Sequence, residues 1–145
     1  MKRWTIGVMS LMMVIVMITG CQSKEDKALL EQVKARESAK MQLIQTPSNF
    51  IIPGAWDRFD KGIINTYTKA TAIQFTNNSV FDVDEITGSM TYADVNGNTM
   101  ATVPFTATGT IRAGQSLKLP VEAGEISGKA EKAVIKVERV YIIGQ

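Results

Sequence analysis

The sequence predicts a mainly β protein, an antiparallel sandwich or barrel preceded by a short N-terminal helix. Three observations carry this. From Thr66 onward the composition turns to Thr, Val, Ile, Ala and Gly, with turn-forming residues about every ten positions. Within that region apolar and polar residues alternate. Val103, Phe105 and Ala107 point one way and Thr102, Pro104 and Thr106 the other, while Leu117, Leu119 and Val121 alternate with Lys118 and Pro120. Residues 22–46, by contrast, contain no Gly or Pro and set opposite charges one turn apart, as helices do.

Residues 1–20 stand apart from all of this. Lys2 and Arg3 give a basic start, and Gly7 to Ile18 are apolar over a stretch short for a membrane-spanning helix. The small pair Thr19-Gly20 then leads into Cys21, the only cysteine of the chain. This layout resembles the lipobox signal peptide of bacterial lipoproteins, with Ile18 where the usual pattern has Leu. The resemblance implies a signal peptide over 1–20, cleavage before Cys21, and attachment of diacylglycerol to its sulfur, usually with a further palmitate-type acyl chain on the new N-terminus. Each buried methylene is worth roughly 0.8 kcal/mol, so two or three chains hold a protein at a membrane where one holds it only reversibly. The implied location is the extracytoplasmic face of the cell envelope. In a Gram-negative cell it is the outer membrane, because Gln22 rather than Asp follows the cysteine.

Composition narrows the function classes. The chain carries 16 basic and 14 acidic residues, and loss of Lys2 and Arg3 with the signal leaves the two signs balanced. A nucleic-acid partner is not expected, since phosphate binding needs a basic excess. With one cysteine no intrachain disulfide can form, so stability has to come from packing and strand pairing. There is no histidine, which removes the commonest general base, the usual zinc ligand and any serine–histidine pair. No metal, cofactor or catalytic site is expected. Two acids three apart, Asp57 and Asp60, are the only hint of a hydrolase and have no supporting framework.

Residues 21–46 read as the lipidated cysteine and a helical stalk. Ser23 is placed to cap the helix with Asp26 three residues on, and Glu31 with Lys34 and Glu37 with Lys40 are neighbours one turn apart. Leu30, Val33, Met41 and Ile44 share a face that Glu37 interrupts, which suits a stalk, packing on the body, or a partner helix. Pro47 ends the helix. Residues 47–65 read as an irregular aromatic linker with a Pro53-Gly54 turn near its start. Trp56 and Phe59 offer flat faces and Asp57 and Arg58 polar direction, the makings of a ligand-binding platform for a glycan or peptide terminus. The same aromatics could instead plug the open end of the domain.

Residues 66–145 form the β domain, with strands expected at Tyr67–Asn77, Asp82–Ala93, Thr99–Thr110, Ser116–Val121 and Ala133–Ile143. Pro104 and Pro120 lack a backbone donor, which predicts edge strands or bulges there. Asp94-Val95-Asn96-Gly97-Asn98 superficially has calcium-loop residues, but its glycine stands one place early and Phe105 occupies the position of the closing Glu. Asn96-Gly97 instead predicts a hairpin turn of the primed type, both residues at positive φ. Alternation places Asp82 and Asp84 on one face of a strand and Glu85 on the other, facing solvent rather than a metal.

Thr76-Asn77-Asn78-Ser79, then Met90-Thr91-Tyr92-Ala93-Asp94 with Asn96-Gly97, then Ala113-Gly114-Gln115-Ser116 before Leu117, resemble the FxLYD-type immunoglobulin-like domains of bacterial envelope proteins. The similarity covers about residues 70–143, with Ala93 splitting the family's Tyr-Asp step. It implies an antiparallel immunoglobulin-like β-sandwich outside the cytoplasm and carries no catalytic residues. The expected function is that of a non-enzymatic envelope lipoprotein, anchored to membrane lipid through Cys21, which binds or scaffolds other envelope proteins. The alternative is a glycan- or small-ligand-binding module built on Trp56, Asp57, Arg58 and Phe59.

Overall fold

A computed structural model describes residues 23–144. Residues 1–22, which include the run expected to be a signal peptide and Cys21, lie outside the described residues. Helix α1 spans Lys24–Gln45, and Ser23 Oγ accepts from the backbone N–H of Asp26 at 3.2 Å, the cap that the sequence predicts. A short 3-10 turn, Pro47–Asn49, follows the helix. The chain divides into two units between Ser38 and Ala39. The last turns of α1 therefore belong to the β unit, whose core includes Leu43.

The β unit is mainly strand: β1 (Ile51–Lys61), β2 (Tyr67–Asn77), β3 (Val83–Ala93), β4 (Thr99–Ala107), β5 (Ser116–Ala123), β6 (Ile126–Ser127) and β7 (Lys132–Ile142). They form one curled antiparallel sheet in the order β1-β2-β5-β4-β3-β7, with β6 added to β2. β5 makes the curl. Its first half, Ser116–Pro120, pairs with β2, and its second half, Val121–Ala123, pairs with β4. Pro120 sits at the change of partner, and Pro104 lies just outside the paired stretch of β4 and β5. Neither strand is at an edge of the sheet. Each proline is tolerated because its missing N–H falls where the ladder stops.

The inner face is close-packed. Phe75 stacks on Phe105 with ring centroids 6.1 Å apart, and both are buried with Ile73, Ile86, Met90 and Leu119. The alternation of β4 and β5 thus points Phe105 and Leu119 inward as expected, although Leu117 near the start of β5 is 46% exposed. Asn77, wholly buried, ties the β2–β3 connection together. Its Nδ2 donates to the carbonyls of Phe81 (2.8 Å) and Ile111 (3.1 Å), and its Oδ1 accepts from Ser79 N–H and Oγ.

Two local expectations are corrected. In the β3–β4 hairpin only Gly97 has positive φ (88°), and Asn96 does not. Gly97 N–H donates to Asp94 O at 3.1 Å while Asp94 Oδ1 accepts from the N–H groups of Asn96 and Asn98. The Asp94 side chain therefore dictates a three-residue loop closed by one left-handed glycine instead of a primed two-residue turn. Near the start of β3 a register shift between Val83 and Ile86 breaks strict alternation, so Asp84 and Glu85 both lie off the core.

Candidate functional site

The four residues of the predicted platform lie on β1, which is strand where the sequence suggests a linker. β1 is an end strand of the sheet, so its Pro53 removes no ladder bond on the outer side. Between Pro53 and Trp56 the register slips by one residue, and between Asp57 and Arg58 the slip is reversed by an extra residue, Thr71, in β2. The first bulge turns Trp56 opposite the buried Ile73; without it Trp56 would face outward. After the second, Arg58 stands opposite buried Ala70 and Asp60 opposite buried Thr68.

Trp56 and Arg58 thus face the inside of the curl while Asp57 and Phe59 face out, and the four side chains do not share one surface. Trp56 is half-buried and meets Tyr92 edge-on, with centroids 5.6 Å apart and planes at 65°. Tyr92 is buried, its hydroxyl accepts from Ala70 N–H at 3.0 Å, and burial raises its pKa above the ordinary tyrosine value. Asp57 pairs with Lys118 across the outer face at 3.0 Å, an exposed bridge worth about 0–1 kcal/mol. Phe59 is 58% exposed.

Arg58 is fully engaged. Its Nη1 donates to the carbonyl of Ala130, its Nη2 meets Glu131 Oε2 at 3.0 Å and its Nε meets Asp60 Oδ2 at 3.2 Å. Asp60 Oδ1 and the carbonyl of Gly128 both lie within 3.0 Å of Thr68 Oγ1, which also accepts from Ala130 N–H. Lys129, and then Arg58, hold the Glu131 carboxyl below the usual carboxylate range. The result is a polar clasp. It joins β1, one end of the sheet, to the segment that feeds β7, the other end, and it satisfies the guanidinium with protein groups.

Beyond the clasp, the β1–β2 loop carries Ile63 and Ile64, which are 102% and 94% exposed. Sequence reasoning passed over these two, although a pair of isoleucines between Gly62 and Asn65 is an apolar run where a turn would ordinarily be polar. The outer edge of β7 is the other exposed feature. Val134 and Tyr141 are 71% and 63% exposed, and Lys132, Lys136 and Arg139 are exposed among them. Among the described residues no group of three His, Cys, Asp or Glu could hold a metal ion, and no helix is long and apolar enough to cross a membrane. Comparison with protein-family models, curated proteins and solved structures returns no match for this chain.

Proposed function

We propose that this chain is a membrane-anchored envelope lipoprotein that works without catalysis, binding or scaffolding other envelope proteins through the edge of its sheet. The observation that carries the reading is β7. It is an eleven-residue strand paired with β3 on one side and hydrogen-bonded to no strand on the other among the described residues, with the Pro47–Asn49 turn and β1 lying close to part of it. Where the turn and β1 leave it open, such an edge presents backbone donors and acceptors that an extended partner segment can complete. The opposite end, β1, is unsuited to this, because Pro53, two bulges and the Arg58 clasp blunt it. Lys132, Lys136 and Arg139 favour a partner strand that is neutral or acidic.

The anchor in this reading rests on the lipobox-like run ending at Cys21. We also infer that the curled sheet is an immunoglobulin-like sandwich. Aromatic pairs from its two halves, Trp56 with Tyr92 and Phe75 with Phe105, support this by packing across the interior.

A photoreactive amino acid placed at Val134 of the full-length protein in native membranes tests the edge. A discrete adduct with an envelope protein is expected from Val134 and none from Gln74, an exposed position on the interior strand β2. No adduct at Val134, or the same pattern from both positions, would refute docking at β7.

A further inference from the structure

The β1–β2 hairpin has a second, separate character. Past the clasp, Phe59 pairs with Lys69 and Lys61 with Tyr67, while Asp60 and Thr68 between them point inward. The outward side chains are therefore two aromatics and two lysines, all exposed, with Ile63 and Ile64 at the apex beyond them. The one carboxylate of this stretch, Asp60, is turned away and bound to Arg58 and Thr68. The apex is held in shape rather than slack. Gly62 has φ 98°, a Cβ there would overlap the Asn65 carbonyl, and Thr66 O accepts from Gly128 N–H at 2.6 Å.

Two aliphatic side chains in water, flanked by aromatics and lysines, with the hairpin's own carboxylate turned inward, match the layers of a bilayer surface. Isoleucine suits the acyl boundary, Phe and Tyr the interface, and Lys the anionic headgroups. We propose that the β1–β2 hairpin tip inserts Ile63 and Ile64 into a bilayer surface, with Lys61 and Lys69 on anionic phospholipid headgroups. The tip would hold the sheet in a fixed orientation against a membrane, on a surface distinct from the β7 edge. The inference stands whether or not β7 captures a partner.

The test uses the full chain in phosphatidylcholine vesicles with and without phosphatidylglycerol, and an environment-sensitive fluorescent amino acid at Asn65. Nitroxide-bearing lipid is placed either in the vesicles that carry the protein or in a second population. The tip probe should shift to the blue and be quenched by nitroxide lipid, more strongly with phosphatidylglycerol. The same probe at Val80, an exposed position beyond the far end of β2, should stay in water. The pair Ile63→Ser and Ile64→Ser should reduce partition of the tip roughly tenfold or more, while Lys61→Gln with Lys69→Gln should erase the dependence on phosphatidylglycerol. The isoleucine changes alter side chains with almost no buried surface, so an unchanged urea midpoint checks that the fold survives. Absence of quenching in both vesicle populations, quenching retained in the serine variant, or a blue shift only when detergent-extracted envelope proteins are added would each overturn the proposal. The last outcome would assign the tip to a protein.

Discussion

Replacing Asn77 by Ala should be among the most damaging single changes to this protein. The side chain is wholly buried and makes four hydrogen bonds. Not all are lost equally. The carbonyl of Phe81 keeps Ser79 Oγ at 3.0 Å, and the carbonyl of Ile111 keeps Val83 N–H at 3.0 Å. The N–H of Ser79 loses its acceptor inside the protein, which costs about 1–3 kcal/mol, and each remaining lost bond adds about 0.5–1.5 kcal/mol. A total of about 2.5–7.5 kcal/mol follows, a large part of a typical stability of about 5–15 kcal/mol. Urea unfolding should show a lower midpoint at unchanged slope. Asn77→Asp sharpens the test. A carboxylate would still accept from Ser79 but would face two carbonyl oxygens, so folding should favour its protonated form. Its pKa would be raised in the folded state, and stability present below the unfolded carboxylate range would be lost as pH rises through it. An Asn77→Ala midpoint within about 0.5 kcal/mol of the parent would refute the reasoning, because changes away from buried networks usually stay in that range.

Three further expectations concern the β unit. Phe105→Ala should cost about 3–5 kcal/mol in urea unfolding, since it removes the ring stacked on Phe75, whereas Thr106→Ala beside it should stay within about 0.5 kcal/mol; the reverse order would mean the register of β4 is wrong. Gly97→Val should lower stability by about 1–3 kcal/mol through backbone strain alone, because nothing lies within 4 Å of a Cβ there; an unchanged melting temperature would refute the left-handed geometry. Asp94 is held below the ordinary carboxylate range by the Asn98 side chain first and backbone N–H groups next, and Glu131 by Lys129 and then Arg58. Both therefore stabilise the fold above the unfolded carboxylate pKa, and that stability is lost as pH falls through the lower folded values. The urea midpoint should fall on acidification, and less steeply in the double variant Asp94→Asn, Glu131→Gln; equal slopes would contradict this.

Much of the fold was legible in the sequence because most strands bury one face. β2 through β5 and β7 start and end close to where alternation and turn residues put them, and the Ser23 cap is a purely local signal. β1 was hidden for two physical reasons. Pro53-Gly54 looks like a turn but serves as a bulge at an edge, and the inward positions after Trp56 are Arg58 and Asp60, which no hydrophobic pattern marks as interior. Those two are tolerated on the inner side because they pair with each other and with Thr68, Ala130 and Glu131, the last two more than seventy residues from Arg58 in sequence. The position of the β3–β4 hairpin could be read from Asn96-Gly97, but its type could not, since it depends on the Asp94 carboxylate reaching over its own loop. The candidate site divided for the same reason. Types and spacing in Trp56–Phe59 suggested one platform, and strand alternation splits such a run between two faces.

In the function proposed above, acylation at Cys21 holds the β unit at a membrane surface. Metabolic labelling with a clickable palmitate analogue, comparing the parent with Cys21→Ser, tests it most directly. Labelled, membrane-bound protein shortened by cleavage is predicted for the parent. For the serine variant, which cannot form the thioether, an unlabelled precursor of higher mass is predicted. Label retained in the variant, or an unlabelled parent released in soluble form, would contradict the claim.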